Sequence, residues 1–279
     1  MATHRQYVLT AGDGLRLDGQ CWLPDGEARA AVMLVHGLTE HSGRYRAPAE
    51  QLSARGYAVY AVDLRGHGRS QGPPCLVRRL DEHLADLDML AGEVRRQQPE
   101  RPVFLFGHSL GGLIATLWCI ERQPVLAGLV LSAPALRLRI DLSPWLLRAA
   151  GLAGRLLPRL RIVRVGFTRV SRDPAVVASF QADPLVFHGR LPLGTVAEML
   201  RGIRRASGRF EALRLPLVIL HGTADQICAP EGSRELCRRA GSGDRTLRLY
   251  EGFGHELLGD PQLDELVADL LAWLDRRSR

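Results

Sequence analysis

Not one of the 37 basic side chains in this chain is lysine; all are arginine. They are also unevenly spread. Residues Ala135 to Ala212 hold 14 Arg against 5 acidic residues, a surplus larger than the whole chain's net charge of +7, so the basicity belongs to one segment. Nucleic acid can attract such a patch, but helix-turn-helix, zinc-finger and aromatic RNA-binding signatures are all absent, and nucleic acid is not an expected partner. A face turned to lipid headgroups or an acidic substrate fits better. Long apolar runs are missing too: Met1 to Gly14 has none of signal-peptide length, and no 18 residues in a row are uninterruptedly apolar. The expectation is a soluble, cytoplasmic protein, with peripheral membrane contact at most. Cysteine is sparse: Cys21, Cys75, Cys119, Cys228 and Cys237 are odd in number, scattered and without zinc-type spacing. That fits reduced thiols better than a disulfide framework, with Cys119 a small buried hydrophobe in its apolar run. Repeats and low-complexity tracts are likewise absent.

What is present is enough apolar material, 46% of 279 residues, for one substantial core. Short β-branched runs alternate with helical patterns, the form of a mostly parallel sheet flanked by helices. Strands are predicted at Ala30 to His36, Tyr57 to Asp63, Val103 to Phe106, Leu126 to Leu131, Leu217 to Leu220 and Thr246 to Tyr250. Helices are predicted over Pro48 to Arg55, stopped by Gly56, over Asp81 to Gln97 with Leu84, Leu87, Leu90 and Val94 on one face, and over Leu263 to Leu274. Tyr7 to Trp22, with its Gly12-Asp13-Gly14 turn, reads as an antiparallel hairpin at the sheet edge. About 80 residues separate the fourth and fifth strands, far more than one crossover helix needs. Residues 135–212 are therefore an expected inserted cap, and 1–134 with 213–279 the core.

The segment Phe104 to Ile114 contains Gly107-His108-Ser109-Leu110-Gly111, a G-x-S-x-G pattern between strand and helix. As letters the pattern is weak; its strand-turn-helix setting makes it a nucleophile elbow. The glycines permit a strained serine, and the helix that follows offers free N–H groups to an oxyanion. A serine hydroxyl needs a base, and the base needs a group that fixes its tautomer. Leu217 to Asp225 is a strand running into a turn that ends in Asp, and Tyr250 to His255 a strand running into a turn that ends in His. Asp225 and His255 follow Ser109 in the order this arrangement requires. His108 and His221 flank strand ends and read as packing or hydrogen-bonded turn residues; His41, His67, His83 and His188 stay open. The backbone N–H groups of Leu38 and Leu110 are the candidate oxyanion donors, with Gly37 permitting close approach.

With these pieces in place the sequence resembles the monoacylglycerol lipase and lysophospholipase branch of the α/β-hydrolases. The resemblance rests on His36 to Tyr45 (HGLTEHSGRY), Asp63 to Ser70 (DLRGHGRS), the elbow, and Gly222-Thr223-Ala224-Asp225, and spans nearly the whole chain. The Glu40-His41-Ser42-Gly43-Arg44-Tyr45 continuation is its most specific part. It implies hydrolysis of a single fatty-acyl ester, without any cofactor or metal, beneath a mobile cap. Thr39 stands where family members often carry Gly. Cys228 matches a position where animal monoacylglycerol lipases also have Cys, as a pocket-side thiol or a bystander.

Ser143 and Pro144 can start a helix reaching Leu157, with Trp145, Leu146, Leu147, Leu152, Leu156 and Leu157 around most of its circumference and Arg148 and Arg155 on one stripe. That is too apolar for an ordinary surface helix: either it is buried between acyl chain and sheet, or it enters lipid with Arg148, Arg155, Arg159, Arg161 and Arg164 at headgroups. The expected function is release of a fatty acid from monoacylglycerol or a similar ester through an acyl-enzyme. Lysophospholipase or general carboxylesterase activity is the alternative. A peptidase would want an acidic group in the cap, dehalogenases and epoxide hydrolases use Asp at the elbow, and a non-catalytic lipid binder would not need three filled triad positions.

Overall fold

The computed structural model describes residues 3–139, 151–164, 171–259 and 263–278. Its frame is an eight-stranded sheet in the order β1-β2-β4-β3-β5-β6-β9-β10. The hairpin β1 (Thr3–Thr10) and β2 (Arg16–Leu23) lies at one edge, and β2 joins β4 (Tyr57–Val62) antiparallel. From β4 onward every pairing is parallel, through β3 (Ala30–Val35), β5 (Val103–His108), β6 (Gly128–Ser132), β9 (Leu217–Gly222) and β10 (Arg245–Tyr250). This is the sheet expected of the α/β-hydrolase fold.

Both faces of β3, β4 and β5 are buried, which explains their uninterrupted apolar runs. On one face Met33, Tyr60 and Leu105 meet Leu84, Leu87, Leu90 and Val94 of α2 (Leu80–Gln97), the apolar face read from the sequence, together with α3 (Leu110–Arg122). On the other, Val32, Val59 and Phe104 meet α1 (Arg46–Ala54) and α7 (Leu263–Asp275), with the Trp273 ring edge-on to Phe104. Cys119 is buried among the apolar residues of α3.

Between β6 and β9 the chain leaves the sheet. It forms a helical stretch at residues 151–156, then β7 (Arg161–Arg164), α4 (Pro174–Ala182), β8 (Arg190–Pro192) and α5 (Leu193–Ser207), with β7 and β8 paired antiparallel. Helix α5 is fastened to α2: Glu198 accepts the Leu80 N–H at 3.0 Å, supplying the N-terminal cap that Arg79 lacks. Thr195 ties the same loop, accepting from Val77 N–H at 3.0 Å and donating to the Cys75 carbonyl at 2.6 Å. The anticipated start of the leucine-rich helix, Ser143 to Arg148, lies outside the described residues. Its far end is described, and Leu152, Leu156, Leu157 and Leu160 are 60%, 73%, 58% and 47% exposed, so these leucines are not buried against the sheet. No helix among the described residues is long and apolar enough to cross a membrane.

Three buried imidazoles lie behind the sheet ends. His36 donates from Nδ1 to the Gly37 carbonyl at 2.7 Å and accepts the Leu64 N–H at Nε2 at 2.8 Å, which fixes a neutral ring; burial pushes its pKa down to about 3. Burial also lowers His67 and, with the charge of Arg65 nearby, holds His83 well below its ordinary value. Neither ring nitrogen of His83 finds a hydrogen-bond partner among the described residues. Because the unfolded chain takes up protons near pH 6.5 and the folded chain does not, stability is full above that pH and is lost as pH falls, by up to about 1.4 kcal/mol per pH unit per histidine. Resistance to urea should therefore fall steeply from pH 6.5 to 5, and His83→Leu should flatten the decline; an unchanged slope would count against a neutral His83.

Candidate active site

The turn from β5 into α3 forces Ser109 to φ +50°, ψ −115°, in the left-handed region that a side chain rarely occupies. Its neighbours make the strain tolerable. A Cβ on Gly107 would lie 2.6 Å from the Gly111 carbonyl oxygen, and one on Gly111 only 2.2 Å from that of Val35, so α3 can rise this close to the sheet only on glycines. Ser109 N–H donates to the Ser132 carbonyl at 3.0 Å, and the Ser109 carbonyl accepts from Leu113 and Ala135 N–H at 3.1 and 2.9 Å.

The parallel register of β9 and β10, with Tyr250 opposite Gly222, delivers the two following loops side by side. Gly222 is indispensable to that crossing: a Cβ there would meet the Phe253 carbonyl oxygen at 2.3 Å. His255 Nε2 stands 2.9 Å from Ser109 Oγ and its Nδ1 2.7 Å from Asp225 Oδ2. The other carboxylate oxygen of Asp225 accepts from Ile227 and Cys228 N–H at 2.7 and 2.9 Å. Burial pushes the Asp225 carboxyl up, but the charge of His255, the two imidazole hydrogen bonds and the backbone donors outweigh it and hold the group well below the usual carboxylate range. For His255 burial works against protonation, yet Asp225 with help from Glu256 and Glu40 prevails, and its pKa is raised above 6.5.

Of the nine histidines, only His255 bonds Ser109. His221 has Nε2 at 3.2 Å from Asp225 Oδ2 and 3.1 Å from the Cys228 carbonyl, and Nδ1 at 2.7 Å from Ser233 Oγ, so it steadies the carboxylate. His108 faces Ser132 Oγ at 3.2 Å and burial drops its pKa to about 4. His41 reaches Asp183 at 2.9 Å, His188 the Asp183 carbonyl at 3.0 Å, and His67 and His83 are interior. Cys228 is fully buried, its N–H on Asp225 and its carbonyl facing His221, and burial pushes its thiol well above the ordinary range.

The N–H groups of Leu38 and Leu110 donate to no acceptor among the described residues, and both residues border the cavity or the helix start beside Ser109. Thr39 adopts φ +71°, so the threonine holds the left-handed backbone that glycine would take without strain. Two neighbours fix the loop: Glu40 Oε1 accepts the Gly37 N–H at 2.5 Å and the Tyr45 hydroxyl at 2.8 Å, and the Thr39 carbonyl accepts from Phe187 N–H at 2.8 Å. Phe187 belongs to the excursion between β6 and β9. So does Asp183, which pairs with His41 and, at 3.5 Å, with Arg44, while the Arg44 guanidinium lies over the Phe180 ring.

A cavity of about 70 Å³ opens above Ser109, lined by apolar Leu138, Phe180, Met199 and Ile227, and also by the carboxyl residues Glu40 and Glu256. The sequence marks Glu40 only as part of a matching motif and does not mark Glu256, whose one signal is its place directly after His255. The acids beside the site thus come from the loops after β3 and β10, whereas a peptidase is expected to carry its acid in the cap. Among the described residues, Asp225, Cys228 and His255 alone gather donor atoms as a metal would need, within 4.8 Å of one another. The Asp225 and His255 atoms are already committed to each other and to Ser109.

Comparisons with known proteins bear on this geometry. A family model described as "Serine aminopeptidase, S33" matches residues 26–262. A monoacylglycerol lipase of Mycolicibacterium smegmatis is 36% identical over 98% of each chain, and a rat monoglyceride lipase 31% identical over 96% of this chain and 90% of its own. The chain belongs to the monoacylglycerol lipase branch of the α/β-hydrolase family. The crystal structure of a monoacylglycerol lipase from Paleococcus ferrophilus superposes on it with a TM-score of 0.83, at 30% identity over 99% of both chains. The protein is a serine hydrolase.

In this hydrolase Gly111→Ala should be among the most damaging of single-methyl additions, because the added carbon meets backbone oxygens of Val35 and His36 that cannot move aside. A loss of more than about 3 kcal/mol in stability, or insoluble protein, is expected. A soluble variant with unaltered melting would show that α3 does not need this approach.

Proposed function

We propose that the enzyme hydrolyses monoacylglycerol, or a closely similar single-chain ester, through an acyl-enzyme on Ser109. The observation that carries this reading is the unbroken hydrogen-bond chain from Ser109 Oγ through His255 to Asp225. His255 takes the Ser109 proton as the hydroxyl oxygen attacks the ester carbonyl. The resulting oxyanion is received by the N–H groups of Leu38 and Leu110. Collapse expels the alcohol, which takes the proton back from His255; water then repeats the sequence and frees the fatty acid. Residues 135–212 act as the cap over a core of 1–134 and 213–279, and the monoacylglycerol lipases among the relatives support the substrate class.

Ser109→Ala should lower kcat by at least about 10⁴-fold and end labelling by a fluorophosphonate, while Asp225→Asn leaves the fold intact and costs about 10⁴-fold. Full labelling of Ser109→Ala would remove the serine from the chemistry. His255 must be neutral to accept a proton, and its partners raise its pKa, so kcat/KM should climb with pH through a value above 6.5. A rate that is level from pH 5.5 to 8 would contradict this role.

The cap also supports contact with a lipid surface. Leu152, Leu156, Leu157 and Leu160 are exposed, and Arg155, Arg159 and Arg161 are exposed beside them. Apolar side chains that enter the acyl boundary with cations at headgroup level favour an anionic bilayer. Flotation should recover the protein with anionic vesicles at low salt and lose it at high salt; equal recovery with neutral vesicles would leave the arginines without that part.

A further inference from the structure

Asp225 has a second imidazole behind it. His221, near the end of β9, and Ser233, in helix α6 (Pro230–Arg239), are both fully buried. His221 Nε2 lies 3.1 Å from the Cys228 carbonyl oxygen and 3.2 Å from Asp225 Oδ2, while its Nδ1 lies 2.7 Å from Ser233 Oγ. Two oxygens that only accept require the proton on Nε2, and the serine hydroxyl then donates to the bare Nδ1. The row Ser233–His221–Asp225–His255–Ser109 is thus nearly symmetric: each imidazole turns an N–H toward Oδ2 and faces a serine hydroxyl with its other nitrogen. Ser109 and His255 line the cavity, whereas His221 and Ser233 do not.

His221 touches no reacting atom, so it can act only through Asp225. It holds the turn: the Cys228 carbonyl takes the His221 N–H, and Cys228 N–H donates to Asp225 Oδ1 at 2.9 Å. It also acts by charge. The positive end of the Nε2–H dipole lies against Oδ2, the same oxygen that accepts from His255 Nδ1 at 2.7 Å. Part of the carboxylate's negative potential is met from behind, and less remains to draw a proton onto His255. The other groups facing His255 are Cys228 from the same turn, Glu256 beside it, Glu40 from the loop after β3, and His108 from the end of β5. Glu256 and Glu40 join Asp225 in pulling the imidazole toward its proton, and His221 works against that pull.

We propose that His221, oriented by Ser233, is a positioning residue that holds the Asp225 turn and tempers the proton affinity of His255, keeping more of the base free at neutral pH. The inference rests on the reading of Ser109 and His255 as nucleophile and base, and is independent of which ester is cleaved. Without His221 an imidazole already raised above 6.5 would climb further, and more of the enzyme would hold a protonated base at neutral pH.

The test follows the rate at which an alkyl fluorophosphonate labels Ser109 from pH 5 to 9, which reports the proton affinity of His255 without a substrate. His221→Leu should raise the midpoint by about half a pH unit, roughly a threefold gain in proton affinity, and lower the plateau rate. His221→Gln, whose amide N–H reaches the same place, should return the midpoint to that of the unaltered protein. A lower plateau with an unmoved midpoint would reduce His221 to a support for the turn and overturn the tempering role, as would an equal rise in His221→Gln. Where His221→Leu does not fold, NMR of the unaltered protein with 15N-histidine decides. The His221 Nε2 signal should move at the midpoint of His255, and a signal constant through that titration would overturn the coupling. Labelling without cleavage of monoacylglycerol would refute the substrate class and leave this inference standing. If the unaltered protein is labelled at no pH, the proposed function itself fails and the inference with it.

Discussion

Ser109 is held in a backbone conformation that an isolated chain avoids, and most of the molecule can be understood as what keeps it there. The left-handed turn at φ +50° is enforced by β5 on one side and α3 on the other, and these two elements can converge only because Gly107 presents no side chain to the Gly111 carbonyl and Gly111 none to that of Val35. The large apolar layers on both faces of the sheet supply the energy that fixes the elements in place. Strain at one residue, of order 1–3 kcal/mol, is small beside such burial. The same rigidity keeps Oγ within 2.9 Å of His255 without any motion of the backbone.

Electrostatics then divides the labour among groups of the same type. Asp225, surrounded by donors, stays ionised; Glu40 and Glu256, buried with fewer donors, are pushed up. His255, against Asp225, is drawn toward the proton, whereas His108, one ring away, is driven from it. Adjacent residues thus acquire opposite tendencies from surroundings alone. The oxyanion loop links this centre to the excursion between β6 and β9, since Asp183, Phe180 and Phe187 all touch residues from Thr39 to Arg44.

Much of this was legible beforehand, for identifiable reasons. Strands buried on both faces write themselves as apolar runs, and β3, β4, β5 and β9 lie where such runs stand. The elbow and the order of Asp225 and His255 reflect backbone constraints that few residue types satisfy. What escaped notice depends on contacts between distant segments. Nothing local in Glu198 says that it caps α2, 118 residues earlier, and α6 (Pro230–Arg239), short and charge-rich, carries too weak an apolar stripe to stand out. The orientation of Glu256 into the cavity follows from the turn after β10, which periodicity does not describe. Thr39 is the reverse case: it stands where the family often has glycine, and neighbouring bonds from Phe187 and Glu40 hold the glycine-like shape around it.

The central claim is that one serine oxygen, one imidazole and two backbone donors converge on a single reacting carbon. It is tested most directly by a crystal structure of the protein after reaction with an alkyl fluorophosphonate, whose tetrahedral adduct stands in for the acyl-transfer intermediate. The account predicts a covalent bond from Ser109 Oγ to phosphorus and a phosphoryl oxygen about 2.7–3.1 Å from the nitrogens of both Leu38 and Leu110. An adduct on another residue, or a phosphoryl oxygen turned away from both nitrogens, would contradict it.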